Sequence, residues 1–192
     1  EEGEHLENGF PAYSSVWGDK ANYGNRGERY LAGVAFLEGA DKKPSAVMCR
    51  GYYTRSYLWA VDFDGKELKT KWLHASLTPN DWKVTDADGK VLKEAHGCKA
   101  TAYAQGAHSL AVGDVDGDGC DEITYGSAAI NHDGTLLYST GLGHGDAQHL
   151  GDLLVDDDGA AHGVVDLIGL AALVFRAEQR VHAVDDADGG DD

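Results

Sequence analysis

The feature that most constrains this chain is a series of short apolar runs that occurs twice in the same order. Tyr30 to Leu37, Ser45 to Cys49, Tyr57 to Phe63 and Glu67 to Trp72 form the first series. Ser109 to Val112, Glu122 to Tyr125, Ala128 to Ile130 and Thr135 to Ser139 repeat it roughly 80 residues later. Runs of this length bounded by Gly, Asp and Asn read as strands, not helices. Asp64-Gly65 and Asp133-Gly134 hold matching places, and Gly tolerates the positive φ of a primed two-residue turn, so both are predicted to close hairpins. Each series is then a four-stranded antiparallel meander. Gly151-Asp152-Leu153 echoes Gly113-Asp114-Val115 about one blade length further on and marks a third start. The predicted fold class is all-β, a β-propeller of about three to four blades, with a β-sandwich as the alternative. Four blades of roughly 40 residues each would use nearly all of the 192-residue chain.

Composition supports strands: 26 Gly, nine Tyr, four Trp and four Phe stand beside only three Pro. The chain divides into a partial propeller over 1–153 and an off-pattern acidic tail over 154–192. The tail lacks Lys, Ser, Thr and Tyr and ends in an Asp/Gly run expected to be disordered, while Val164 to Arg180 is expected to form a short helix. Its composition also fits a frame-shifted reading of GC-rich DNA, which resequencing the coding region would test.

A formal charge of -17 repels nucleic acid and anionic lipid, so neither is an expected partner, and cations are. Membrane insertion is not expected either, because the best apolar run, Val164 to Phe175, is short and contains Asp166. Cys49, Cys98 and Cys120 show no CxxC spacing and define neither a zinc site nor a disulfide framework. The chain opens on Glu1 without a signal peptide, so a leader is expected upstream or already removed.

The strongest local motif runs from Gly113 to Glu122. Asp114, Asp116 and Asp118 stand at positions one, three and five of an oxygen-donor loop, Gly119 permits the sharp turn, and the carbonyl of Cys120 falls at position seven. An EF-hand would carry its bidentate Glu at position twelve; here that place is Tyr125, and the acid comes earlier, as Glu122. The flanks read as strands, so a compact hairpin Ca2+ loop is expected. A second constellation joins His108 to His144, Asp146 and His149 across glycine-rich sequence, where imidazole and carboxylate can approach a ligand with little steric cover. A third, Met48 to Arg55, sets Arg50 and Arg55 around Tyr52 and Tyr53. Arg can pair with a uronate carboxylate and Tyr can stack on a sugar face, although a blade strand with Tyr in the sheet and Arg on its rim explains the pattern equally well.

Gly18-Asp19, Tyr23-Gly24-Asn25-Arg26, Met48 to Arg55, Gly113 to Glu122 and Tyr138 to Asp146 together resemble the rhamnogalacturonan lyases of polysaccharide lyase family 11. The resemblance covers Phe10 to Leu153, with a looser stretch from Leu77 to Ala102. It implies an eight-bladed, calcium-laden propeller that cleaves rhamnose–galacturonate bonds of the pectic polysaccharide rhamnogalacturonan I by β-elimination. It further implies that His108, His144 and Asp146 hold the Ca2+ nearest the substrate, although Ca2+ prefers oxygen and the residues alone allow proton transfer or a softer metal. Family members are about three times as long, and the Lys and Tyr usually placed near the reacting sugar would lie beyond Leu153, so the chain is expected to be an inactive, monomeric fragment of a secreted, periplasmic or cell-surface enzyme. The competing expectation is a non-catalytic calcium-stabilised propeller module that binds carbohydrate or protein.

Overall fold

A computed structural model describes residues 30–51, 53–155 and 161–168. Every regular element among them is a strand: β1 Tyr30–Ala35, β2 Ser45–Arg50, β3 Ser56–Phe63, β4 Leu68–Ser76, β5 Trp82–Thr85, β6 Val91–Ala95, β7 Ala111–Gly113, β8 Glu122–Tyr125, β9 Ala128–Ile130, β10 Leu136–Ser139, β11 Ala147–Val155 and β12 Ala161–Ile168. Three antiparallel sheets result: β1 to β6 in sequence order, β10-β9-β8-β7, and the pair β11-β12. None of the three closes on itself. Among the described residues no helix is long and apolar enough to cross a membrane.

Both predicted series of strands are present, and three expectations need correction. The first sheet has six strands, not four, because Trp82–Thr85 and Val91–Ala95 extend the meander through the stretch that the motifs left loose. The hairpin turns are longer than two residues. Phe63 pairs with Leu68, and the Asp64 carboxylate closes the four-residue loop by accepting from the amides of Lys66 and Glu67 at 2.9 and 3.0 Å. At the matching place Gly134 N donates to Asn131 O and Asn131 N to Thr135 O, so Gly134, at φ +85°, sits at the bulge of a longer loop. The expected helix from Val164 is contradicted over Val164–Ile168, which lie in β12 and pair with residues 147–151 of β11; the remainder lies outside the described residues.

Alternation fixes the inner face of the large sheet. Ser45, Val47 and Cys49 of β2 point inward, as do Ser56, Leu58 and Ala60 of β3. An irregularity in register, Ala60 opposite Trp72 but Val61 opposite Thr70, leaves Lys71 unpaired in β4, and Lys71 reaches outward to Glu38 at 2.8 Å and Asp62 at 3.2 Å. β8 and β9 are buried on both faces, and their Ile123, Tyr125, Ala128 and Ile130 join Leu37, Val47, Leu58, Trp72 and Val84 in one core.

Polar contacts lock the second sheet onto the first. Trp72 Nε1 donates to His132 O at 3.0 Å, and His74 Nδ1 donates to Gly134 O at 2.7 Å. A carbonyl can only accept, so Nδ1 carries the proton and Nε2 accepts from Ser76 Oγ, which itself accepts from Ala102 N. Burial holds His74 neutral and pushes its pKa down to about 4. A side chain at Gly134 would collide with Trp72 and Val84, so this turn can dock closely only as glycine. Next to the acidic loop, Phe36 N donates to Asp121 Oδ2 at 2.7 Å and Asp121 N to Phe36 O at 3.1 Å.

Candidate functional site

The acidic loop hangs between β7 and β8, and its carboxylates first organise its own backbone. Asp114 accepts from Gly117 N at 2.7 Å and Gly119 N at 3.0 Å, Asp116 from Asp118 N at 3.2 Å, and Asp118 from Cys120 N at 2.8 Å. Gly117 and Gly119 hold φ of +80° and +90°, which wind the loop tightly. Of the five expected donors, Asp114, Asp116 and Glu122 converge, with ligand oxygens within 4.8 Å of one another. Asp118 faces elsewhere, toward Cys120 and His132.

Glu122 is the key member. It is fully buried at the head of β8; Oε2 accepts from Val115 N at 2.9 Å, and Oε1 is buried with no hydrogen-bond partner among the described residues. Burial raises its pKa to about 7, with smaller contributions from the negative charges of Asp116, Asp118 and Asp114. A buried carboxylate oxygen without a donor, facing two more carboxylates, is costly unless a proton or a cation serves it. The donor set is all oxygen, which fits Ca2+.

The second cluster brings together His108, His144 and Asp146, again within 4.8 Å. The His108 and His144 rings lie 5.0 Å apart, and the Tyr53 ring lies 4.4 Å from that of His144. His144 Nδ1 donates to Gly106 O at 2.6 Å, which leaves Nε2 as the lone-pair nitrogen, 3.9 Å from Asp146 Oδ1. The loop segments carrying these residues meet at an isolated bridge between Ala107 and Gly145. Gly126 makes the approach possible: at φ +65° its Cα lies against the backbone of Gln105 to Ala107, where a methyl group would collide with the Gln105 carbonyl. Ser127 N donates to Gln105 O at 2.7 Å, and Gln105 Oε1 accepts from Gly143 N at 3.0 Å, so both arms of the cluster hang on one residue. His149, part of the same motif, does not join the group.

The Met48 to Arg55 constellation is split. Tyr53 stands at the histidine cluster, whereas the Arg50 guanidinium lies 5.4 Å over the Tyr30 ring and lines a groove of about 600 Å3 with Tyr57 and Trp59 on the other face of the large sheet. The positive charges of Arg55 and Arg50 both bear on Tyr57, whose pKa burial nonetheless raises. Gly51, at φ +78°, turns the chain between Arg50 and Tyr53 and has no room for a side chain against the Arg55 carbonyl. Tyr52 lies outside the described residues. Sequence reasoning missed His132 and Gln105; the first belongs to a hairpin turn and the second to a loop, and neither carries a ligand-spacing signal of its own.

The described residues thus form an all-β fold with an oxygen-donor loop and a histidine–aspartate cluster. The family model "Rhamnogalacturonan lyase family 11, C-terminal domain" matches residues 10–167, and the chain belongs to this family. It is 53% identical over 138 residues to the rhamnogalacturonan exolyase YesX of Bacillus subtilis (strain 168), covering 71% of this chain and 19% of that protein. To the rhamnogalacturonan endolyase YesW of the same organism it is 47% identical over 147 residues, covering 74% of this chain and 20% of YesW. The solved Bacillus licheniformis rhamnogalacturonan lyase PL11 superposes with a TM-score of 0.59 at 47% identity, over 79% of this chain and 22% of that one. The chain thus spans about a fifth of the length of these relatives.

Proposed function

We propose that this chain is the metal-binding portion of a calcium-dependent rhamnogalacturonan lyase that cleaves rhamnose–galacturonate bonds of rhamnogalacturonan I by β-elimination. Family membership supplies the reaction class. The observation that carries the calcium requirement is the unsatisfied, buried Oε1 of Glu122 beside Asp114 and Asp116. In this reading the six-stranded and four-stranded sheets are neighbouring blades of a propeller and β11-β12 begins the next one.

Cleavage requires removal of the galacturonate proton alpha to its carboxylate, and a bound Ca2+ would neutralise the charge that then accumulates. His108, His144 and Asp146 are the residues assigned to hold that ion at the substrate. The Gly106 carbonyl keeps His144 Nε2 as an acceptor, and Tyr53 fixes the plane of its ring. Tyr53 is also the aromatic group this reading assigns to a sugar face, while Arg50 lines a separate groove with Tyr57 and Trp59. Because its substrate is a plant cell-wall polymer, the enzyme is assigned to the secreted, periplasmic or cell-surface compartment.

The test uses two proteins, the chain as it stands and the chain extended by the remainder of a family member's sequence. Each is incubated with rhamnogalacturonan I and Ca2+, and the ultraviolet absorbance of the unsaturated uronate product is followed. The extended protein is expected to release product, and His144→Ala in it to abolish release. An extended, folded protein that releases none would overturn the assignment, and calorimetric binding without turnover would favour a non-catalytic carbohydrate-binding module.

A further inference from the structure

Ser127 is buried in the two-residue turn between β8 and β9, where Tyr125 pairs with Ala128, and its polar groups all reach out of that turn. The amide donates to Gln105 O at 2.7 Å, the carbonyl accepts from Thr140 N at 2.9 Å, and Oγ donates to Gly143 O at 2.8 Å. Gly143 N donates in turn to Gln105 Oε1 at 3.0 Å. Both backbone groups of the residue before His144 are therefore gripped by buried side chains, one from each of two other segments. Gln105 is itself fixed, since Nε2 donates to Tyr103 O at 3.1 Å and its amide to Ala102 O at 3.2 Å. It follows Ala104, whose φ of 61° an alanine adopts only at a cost, and whose amide is held by Thr54 O at 2.7 Å.

Residues 141–146 need such fastening. Gly141, Gly143 and Gly145 make up half of the segment, Gly141 and Gly143 lie at φ +72° and +88°, and the bridge from Gly145 to Ala107 is its single β-pairing among the described residues. A segment this rich in glycine loses much conformational entropy on ordering, and whatever freedom it keeps before an ion arrives weakens the binding of that ion. His144 is the deepest of the ligands the segment carries, its side chain 17% exposed against 79% for Asp146. Its Nδ1 donates to Gly106 O at 2.6 Å, a bond that either charge state of the ring can make. Gly106 follows Gln105, so one clamp sets both the ring and the carbonyl that orients it. We propose, on the reading that this cluster holds Ca2+, that Ser127, acting with Gln105 through Gly143, is a positioning residue that presets His144 against His108 and Asp146 for the ion.

The full chain is titrated with Ca2+ alone by calorimetry. His144→Ala identifies the binding event that belongs to the cluster, and Glu122→Gln the one that belongs to the acidic loop. Ser127→Ala and Gln105→Met are each expected to weaken the cluster event about 10- to 100-fold and to leave the loop event unchanged. Ser45→Ala, which removes another buried hydroxyl, one that donates to Asp62, should alter neither. An unchanged cluster event in both clamp variants would overturn the positioning role, and so would an equal weakening of both events, which marks a general structural effect. If no event responds to His144→Ala, the calcium assignment of the cluster is what fails, and a measurement without metal decides the role of Ser127. In 15N-labelled wild type the His144 Nδ1 proton, bonded to Gly106 O, is expected to exchange slowly with solvent, and in Ser127→Ala at least tenfold faster; equal exchange in the two proteins would overturn the proposal.

Discussion

Burial raises the Glu122 carboxyl from its ordinary 4.5 to about 7, so the metal-free folded protein keeps a proton there that the unfolded chain gives up. Between those two pH values the folded state binds more protons. Raising the pH from about 4.5 to 7 in chelator therefore costs stability, by roughly 1–3 kcal/mol. His74 acts in the opposite sense: held near 4 in the fold against 6.5 when free, it adds stability as the pH rises from about 4 to 6.5. Glu122→Gln retains His74 and so isolates the first effect. In urea denaturation with chelator, wild type is expected to lose stability relative to this variant as pH rises through the window; with saturating Ca2+ the ranking should reverse, and a difference flat across pH would mean that Glu122 titrates normally. Gly126 allows an independent test by thermal denaturation. Gly126→Ala forces a methyl group into the Gln105 carbonyl and is expected to cost 2 kcal/mol or more, by order of magnitude, whereas Gly65→Ala, at φ +100° but with no described atom within 4 Å, should cost only about 1 kcal/mol.

The β9–β10 hairpin is the element on which the junction of the sheets depends. Trp72 is buried at its base and donates to His132 O, and Val84 closes against Gly134. Trp72→Ala is expected to remove about 3–5 kcal/mol in chemical denaturation, with a rise in exposed apolar surface by dye binding. Much at this scale was legible beforehand. Both series of strands followed from alternation and turn residues, and Glu122–Tyr125 and Ala128–Ile130 fall where the apolar runs put them. β5 and β6 were missed because β6, Val91–Ala95, is largely exposed and its Lys93 and Glu94 break the apolar signal. The turn type was missed because Asp64 and Asp133 bond to backbone further along their loops, a choice made by side chains and not by the Asp-Gly pair itself. At the sites, the donor types were readable from spacing, but the proximity of Asp118 to His132 was not, because only tertiary docking brings the β9–β10 hairpin near the loop.

As a whole molecule the described protein leaves apolar surface in the open. Tyr30, Val34, Phe63 and Leu68 are 60%, 62%, 59% and 65% exposed, and all lie on the large sheet. In a protein of the relatives' length such a face would be expected to lie against another sheet; alone, it should drive association. Sedimentation velocity is expected to show a concentration-dependent rise in mass that Val34→Lys with Phe63→Lys suppresses, and an unchanged mass across a hundredfold dilution range would refute this. The reciprocal hydrogen bonds between Phe36 and Asp121 have a further consequence. They splice the acidic loop into the backbone of the sheet that precedes it, so exchange of those two amides with deuterated solvent is gated by whether the loop is ordered. On the calcium reading proposed above, the chain thus carries a built-in gauge of its surroundings: the protection of Phe36 and Asp121 should track the free calcium concentration, and Phe36 reports it from far outside the sequence of the loop.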